Sequence, residues 1–517
     1  MHLTDYKFPY DRKKMIEKTK NAPEWVHFGA GNIFRAFPCA LAERLLAAGK
    51  IDTGIIAVEG FDPEIIERAY LPYDNISLLV TLCGDGSVKK CAIGSVAEAL
   101  TLDDADRIEQ IFRSPSLKLV SFTITEKGYS VKGGRGLLPH VASDVADDPT
   151  DAKTTIGVLV RGLYARYGCG GGLPISLLSM DNCSGNGEKL RAAVLAYAEG
   201  WCASGKLDAD FIRYLNDEEK VAFPCSMIDK ITPRPDVNVA KMLEDEGFCD
   251  TEIIVTSKKT YTAPFVNAEA PQYLVAEDKF PAGRVPLDEV GVIFTDRETV
   301  DKTEKMKVCT CLNPLHTALA VYGCLLGCTL ISEEMKDAEL IKLVNRLGYV
   351  EGLPVVVDPG IISPKAFIDE VVGERLPNPF MPDAPQRIAT DTSQKLPIRL
   401  GETVKAYIGR GLDMSSLVAV PLVAAGWCRY LMAVDDEGGA FTPSPDPRLE
   451  ECMARLANVK LGCEIGVHDA VFPILSDASI FGVDLYSTPI GARAEEYFAR
   501  MIAGKGAVRT TLRELLA

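Results

Sequence analysis

The chain changes rhythm near residue 300, and that change limits what it can fold into more than any single motif does. Before it, apolar runs of strand length alternate with amphipathic helical stretches; after it, helical periodicity takes over. Alternation of this kind builds a parallel sheet, because parallel strands need long crossovers and helices are what cover both faces. The strand candidates are residues 25–28, 54–58, 117–125 and 175–179, with a helix at 40–48 between the first two. Residues 78–82 and 88–93, joined through Gly84-Asp85-Gly86, predict a hairpin. Residues 277–299 carry two prolines and no long periodic segment, as a linker would. Beyond them, helices are expected at 314–330, 333–347, 399–410, 448–459 and 493–503. At 517 residues the chain is too long for one core. The expectation is therefore an α/β domain over 1–298 and a mainly helical domain over 299–517, with no internal repeat.

Residues 25–35 read Trp25-Val26-His27-Phe28-Gly29-Ala30-Gly31-Asn32-Ile33-Phe34-Arg35, a buried strand entering a glycine turn and then a helix. Gly29 permits the tight turn, and Gly31 lets a pyrophosphate approach the backbone at a helix start. The α/β half is accordingly expected to be Rossmann-like and dinucleotide-binding, with Gly29, Gly31, Asn32, Ile33, Phe34 and Arg35 against the cofactor. Phe34 stands where the usual third glycine would be, and an ordinary strand–helix turn can look the same. The next strand ends in Glu59, a carboxylate able to bond ribose hydroxyls and to repel a 2′-phosphate, which favours NAD over NADP. Asp62 competes for that role, and a solvated loop charge would also fit Glu59.

The formal net charge of -16 opposes phosphate backbones and anionic membrane surfaces, which argues against nucleic-acid and membrane partners. The longest uncharged apolar stretches, such as 318–331, fall short of the roughly 20 residues that cross a bilayer. The first residues lack an apolar signal core, so a cytoplasmic location is expected, with the 15 cysteines as reduced thiols. Cys309, Cys311, Cys324 and Cys328 cluster without zinc-like spacing, and no metal is expected there. The expected partner is a small molecule, bound by a monomer or small homo-oligomer.

Just past the rhythm change stand Glu304, Lys307, Asn313 and His316. Hydride transfer from an alcohol needs a base for the hydroxyl proton and donors for the oxygen. A lysine serves if desolvation or a nearby cation lowers its pKa from about 10.4 towards neutrality. Asn313 and His316, three residues apart, share a helix face. A helix-start lysine followed by a capping asparagine would give the same letters.

In this region the chain resembles the polyol-specific long-chain dehydrogenases, the family of mannitol 2-dehydrogenase and fructuronate reductase, whose signature is Lys…Asn-x2-His. Five further segments carry the resemblance in order. They are the glycine turn, Ser121-Phe-Thr-Ile-Thr125-Glu126-Lys-Gly128-Tyr129, Ser179-Met-Asp-Asn182 with Asn186-Gly187, Phe223-Pro-Cys-Ser-Met-Ile-Asp229-Lys230-Ile-Thr-Pro233, and Arg387-Ile-Ala-Thr-Asp391-Thr-Ser-Gln-Lys395. The resemblance implies an NAD-dependent dehydrogenase in which Lys307 is the general acid/base, Asn182 and Asn313 hold the reacting oxygen, and His316 orients the substrate. It further implies that Arg387 and Lys395 bind hydroxyls or a carboxylate, and that Asp229 bonds a sugar hydroxyl with Lys230 beside it. Glu304 would line the proton route, and Thr125 and Glu126 would lie beside the nicotinamide.

The chain departs from the family at three points: five residues, not four, separate Lys307 from Asn313, Pro314 replaces a glycine, and Lys230 replaces an arginine. A helix break or π-bulge would absorb the extra residue. Lys305 is the competing base, but only Lys307 keeps a glutamate three residues before it. Among substrates, the D-mannonate/D-fructuronate pair is favoured because Lys230, Arg234, Arg387, Lys395 and Arg399 exceed the cations a neutral polyol needs. Mannitol/fructose and altronate/tagaturonate remain open within the family. Outside it stand a non-catalytic NAD-binding sensor and a metal-dependent alcohol dehydrogenase.

Overall fold

The computed structural model describes residues 1–134, 136–463 and 465–517. The chain divides into two compact units, one of Met1–Leu82 with Ser87–Asp301 and one of Cys83–Gly86 with Lys302–Ala517.

The first unit is built on six parallel strands, β1 (Trp25–Phe28), β2 (Ile55–Glu59), β3 (Val96–Thr101), β4 (Leu119–Phe122), β5 (Ile175–Ser179) and β6 (Val221–Ala222). Their order across the sheet is β3-β2-β1-β4-β5-β6. Trp25 pairs with Ile55 on one side and Leu119 on the other, so β1 is central and the order reverses between β1 and β4. Ligands of such sheets bind beyond the carboxyl ends of the strands at this reversal. β1, β2, β4 and β5 are buried along their whole length, which is why they read as mainly apolar runs and not as apolar–polar alternations. Val26, Phe28, Ile56 and Val58 pack with Leu159, Leu163, Val194 and Trp201 from the helices Thr155–Tyr167 and Asn186–Ala203. The alternate residues Trp25, Ile55 and Ala57 pack with Leu41 and Leu45 of helix Pro38–Ala47 on the opposite face. Burying each such aliphatic side chain contributes roughly 1.5–3 kcal/mol.

The hairpin forms as expected, from Ser77–Leu82 and Val88–Ile93 in antiparallel register, and Phe265–Glu269 adds a parallel strand beside it. The expected linker is a correction. Within 277–299, Ile293–Thr295 pairs in parallel with Tyr273–Glu277, which pairs in turn with Ser226–Asp229. Three-residue strands carry too little periodicity to show in a sequence.

The second unit is helical. Helix Ala419–Tyr430 is buried at every residue and was not foreseen, since a helix enclosed on all sides shows no amphipathic period. Its first amides are satisfied by Glu351, which accepts from Val418 N and Ala419 N on Oε1 and from Val420 N on Oε2. Tyr322, on helix Asn313–Leu325, donates to Leu422 O at 2.7 Å and ties these two core helices together. The run Arg297–Leu325 is, by length and composition, apolar enough to cross a membrane, but 72% of its apolar window is buried inside the protein, as in a core helix.

Candidate functional site

In the first unit the glycine turn forms at the end of β1. Gly29 has φ +103° and donates to Val58 O at 2.8 Å, and a Cβ there would lie 2.3 Å from Thr123 O. Only glycine fits. A Cβ on Gly31 would meet no atom within 4 Å, so the backbone is bare towards an approaching group, and the turn fits a pyrophosphate. Gly31 caps the short helix Asn32–Ala36, on which Asn32 and Ile33 are partly exposed.

The side chains of Phe34 and Arg35, expected against the cofactor, turn inward, leaving only their main chain for that role. The Phe34 side chain is wholly buried and stacks on the His27 ring with centroids 4.1 Å apart. The aromatic pair fills the space that a third glycine would leave to helix–strand packing. His27 bonds Ser121 Oγ and Thr123 Oγ1, and burial brings its pKa down to about 3. Arg35 is equally buried and donates to Ala263 O, Thr262 Oγ1 and Asn32 Oδ1. Both side chains brace the turn from below and have no surface to offer a dinucleotide.

Glu59 ends β2 as expected, but it is 5% exposed and already committed. Its Oε2 accepts from Ala30 N, and its Oε1 accepts from Phe61 N and Asp62 N. The carboxylate thus staples the glycine turn to the loop after β2, while its charge remains at the expected place. Asp62 is buried and accepts from Thr256 Oγ1.

The loop after β4 is organised by Asp181, a residue that sequence reasoning quoted within its motif but gave no role. Asp181 Oδ1 accepts from Thr125 N at 2.9 Å, and Oδ2 accepts from Ile124 N at 3.0 Å and Tyr129 OH at 2.5 Å. Thr125 is held at φ +63°, in the left-handed region that a β-branched residue avoids. Thr125 and Glu126 are exposed, and Glu126 pairs with Lys189. Burial raises the pKa of Asp181, and its hydrogen bonds oppose that shift without cancelling it. Asn182, next in the chain, is exposed. Buried Asn186 fastens the end of β5 to the neighbouring strand, accepting from Ser226 N and donating to Ser179 O, Asp181 O and Ser226 O. Asp229 ends the strand Ser226–Asp229 and is buried, and Lys230 Nζ donates to Glu269 O and Gln272 Oε1.

In the second unit, the departure between Lys307 and Asn313 has a structural form. Residues Lys307–Cys311 make a π-turn, in which Leu312 N bonds Lys307 O at 3.0 Å, and helix Asn313–Leu325 begins immediately after it. The wide turn absorbs the extra residue, and Pro314 sits near the new helix start, where its missing N–H costs nothing. Lys307 is 2% exposed, while Lys305 is open to solvent. Glu304 is partly buried one helical turn before Lys307.

Asn313 and His316 occupy the first turn of that helix, both partly buried. Burial is the largest cause lowering the pKa of His316; Asp383 opposes it, and Arg399, Arg387 and Arg375 add to it. The ring is neutral at ordinary pH. Its Nε2 is buried, lies 3.6 Å from Asp383 Oδ2, and has no hydrogen-bond partner among the described residues. Arg387 is 63% exposed and ion-paired with Asp383, and Lys395 Nζ donates to the main-chain oxygens of Ile388 and Thr390. Asp383 carried no signal in the sequence beyond its place four residues before Arg387.

The clustered cysteines are free thiols. Burial pushes both Cys311 and Cys324 up to about 12, leaving them protonated and poor metal ligands. Among the described residues no group of three or more His, Cys, Asp or Glu side chains gathers to hold a metal.

Comparison with known proteins bears on both units. Residues 23–289 match the mannitol dehydrogenase Rossmann domain, and residues 299–490 match the mannitol dehydrogenase C-terminal domain. D-mannonate oxidoreductase of Thermotoga maritima is 52% identical over 515 residues, covering 98% of this chain and 95% of that one. The solved Pseudomonas fluorescens mannitol 2-dehydrogenase, a ternary complex with NAD and D-mannitol, is 28% identical with a TM-score of 0.70 over 99% of this chain and 96% of that one. A substrate-free D-sorbitol dehydrogenase shares the fold at 23% identity, with a TM-score of 0.81 over 98% of this chain and 96% of that one. With both domains matched in order along nearly the whole length, the chain belongs to the mannitol dehydrogenase family of oxidoreductases.

Proposed function

We propose that this oxidoreductase interconverts D-mannonate and its keto form, D-fructuronate, using NAD. The observation that carries the reading is the charge around His316, where Arg399, Arg387 and Arg375 all lower the imidazole pKa and Asp383 opposes them. A neutral polyol needs no such set of cations, whereas a sugar acid brings its own negative charge. The 52%-identical Thermotoga maritima D-mannonate oxidoreductase supports the same substrate class.

Lys307, withdrawn from water at the head of the π-turn, takes the proton from the reacting hydroxyl in oxidation and returns it in reduction. In its Nε2–H tautomer His316 donates to the substrate, since that nitrogen has no partner of its own. The Asn313 amide donates to the reacting oxygen as its charge changes. Glu304, one helical turn before Lys307, passes the proton on to solvent. A nicotinamide dinucleotide bound at the glycine turn supplies the acceptor for the hydride. Glu59 and Asp62 leave negative charge at the end of β2, which supports NAD over a cofactor bearing a 2′-phosphate.

The test is a spectrophotometric screen of NADH oxidation with D-fructuronate, D-tagaturonate and D-fructose. The proposal expects D-fructuronate to give the highest kcat/KM. A higher value with D-fructose would make the protein a mannitol 2-dehydrogenase, the reading that the Pseudomonas fluorescens structure favours.

A further inference from the structure

The cations of the second unit are not equivalent. Arg387 is largely exposed and spends its charge on Asp383, and Lys395 is anchored on two main-chain oxygens. Arg399, the last residue of helix Thr392–Arg399, is different. It is partly buried, Nη1 donates to Thr317 Oγ1 at 2.7 Å, and among the described residues it makes no ion pair. Desolvation alone brings its pKa down to about 10. Thr317 directly follows His316, and the Arg399 charge is among those that depress the imidazole. An unpaired, desolvated guanidinium thus lies near an imidazole nitrogen that also lacks a partner.

Withdrawing a cation from water without a counter-charge destabilises a fold. A guanidinium fork is also the side chain best shaped to take both oxygens of a carboxylate. We propose that Arg399, and not Arg387 or Lys395, receives the carboxylate of the substrate and thereby sets the preference for sugar acids over polyols. The inference rests on the sugar-acid reading given above and names the group that performs the selection.

D-mannonate and D-mannitol make a matched pair, since they differ only in a carboxylate against a hydroxymethyl group. Oxidation of each with NAD is measured for the wild type, Arg399→Met, Arg399→Lys and Arg387→Met. Arg399→Met should lose about 100-fold in kcat/KM on D-mannonate, the factor that about 2.8 kcal/mol of charge-assisted bonding corresponds to. The loss should fall on KM, with kcat and the D-mannitol reaction changed less than about 3-fold. Arg399→Lys should recover part of the lost affinity, and Arg387→Met should change both substrates alike. Arg399→Met should melt at or above the wild-type temperature, because it removes an unpaired charge. Equal losses on both substrates, a kcat loss at unchanged KM, or selective loss in Arg387→Met would each overturn the assignment. Failure of the sugar-acid reading shows separately, as a wild type that prefers D-mannitol.

Discussion

Replacing Asp181 by alanine removes an acceptor that holds the loop after β4 at three points. Three hydrogen bonds are lost: Ile124 N and Thr125 N are left without their acceptor, and Tyr129 OH keeps only Ser179 Oγ. Hydrogen bonds to a charged group contribute about 1.5–3 kcal/mol each, which sets an upper limit near 5–9 kcal/mol. Two effects reduce it. Thr125 is exposed, so its amide finds water once the loop loosens, and releasing Thr125 from φ +63° recovers about 1–2 kcal/mol of backbone strain. Burial also raises the pKa of Asp181, so its ionised form carries a cost at neutral pH that the variant no longer bears. The expected net loss is about 2–3 kcal/mol in urea denaturation, within the stability of an ordinary domain. The loop should then wander, so NADH affinity falls at least tenfold by fluorescence titration while the melting transition stays single. Asp181→Asn keeps one oxygen but turns an amide towards one of the donors, and should fall between the two. A folded Asp181→Ala protein with wild-type NADH affinity and a loss under about 0.5 kcal/mol would refute the reasoning, because at least one orphaned donor should cost more than that.

Glu334 is wholly buried, has no hydrogen-bond partner on either oxygen among the described residues, and is pushed up to about 9 by burial, with Asp337 adding to the shift. Its folded pKa lies above its unfolded one, so its stabilising contribution is complete below about pH 4.5 and is lost as pH rises towards 9. Glu334→Gln should therefore raise Tm more at pH 8.5 than at pH 5, and an equal shift at both would be the contrary result. Lys307→Ala should lower kcat for oxidation by about 10²–10⁴ with a small change in KM, while exposed Lys305→Ala stays near wild type; a dead Lys305 variant would reverse the assignment. NAD should exceed NADP in kcat/KM, and an Glu59→Gln variant should melt lower as well as narrow that preference, because its carboxylate also holds three backbone amides. Narrowed preference without a stability loss would mean that the staple is not formed.

The parts of this protein that were legible from sequence are those where one residue type alone suffices. Gly29 is needed for φ +103° beneath Thr123, and a reader can find it without a structure. The mainly apolar runs of β1 and β5 announce strands buried on both faces. β3, β6 and Ile293–Thr295 did not show, because short or edge strands carry mixed burial and too few residues for a period. Helix Ala419–Tyr430 was hidden for the opposite reason, being apolar all round. The inward turn of the Phe34 and Arg35 side chains was not legible, since a pattern of letters gives position along a turn, not whether a side chain lies above or below it. Asp181 and Asp383 act through partners 50 to 70 residues away in the chain, Ile124 and His316 respectively, and such pairings leave no local trace.

The π-turn shows how a break in a family's spacing can be retained. One added residue in a regular helix rotates everything after it away from the face it occupied, so an insertion between a base and its partner amide should be disabling. Here the widening is confined to Lys307–Cys311, and helix Asn313–Leu325 restarts with its proline near the front, so the shift is taken up locally. Two more π-turns in the same unit, Arg346–Gly352 and Val371–Arg375, contain Glu351, the cap of the buried helix, and Arg375, one of the guanidiniums acting on His316. In each, a residue with a fixed electrostatic task stands where the helix is widest. A wide turn leaves main-chain bonds poorly made, and a fold keeps that cost only where re-aiming a side chain is worth more. The extra residue between Lys307 and Asn313 therefore argues for a working site, and against a family member that has lost its chemistry.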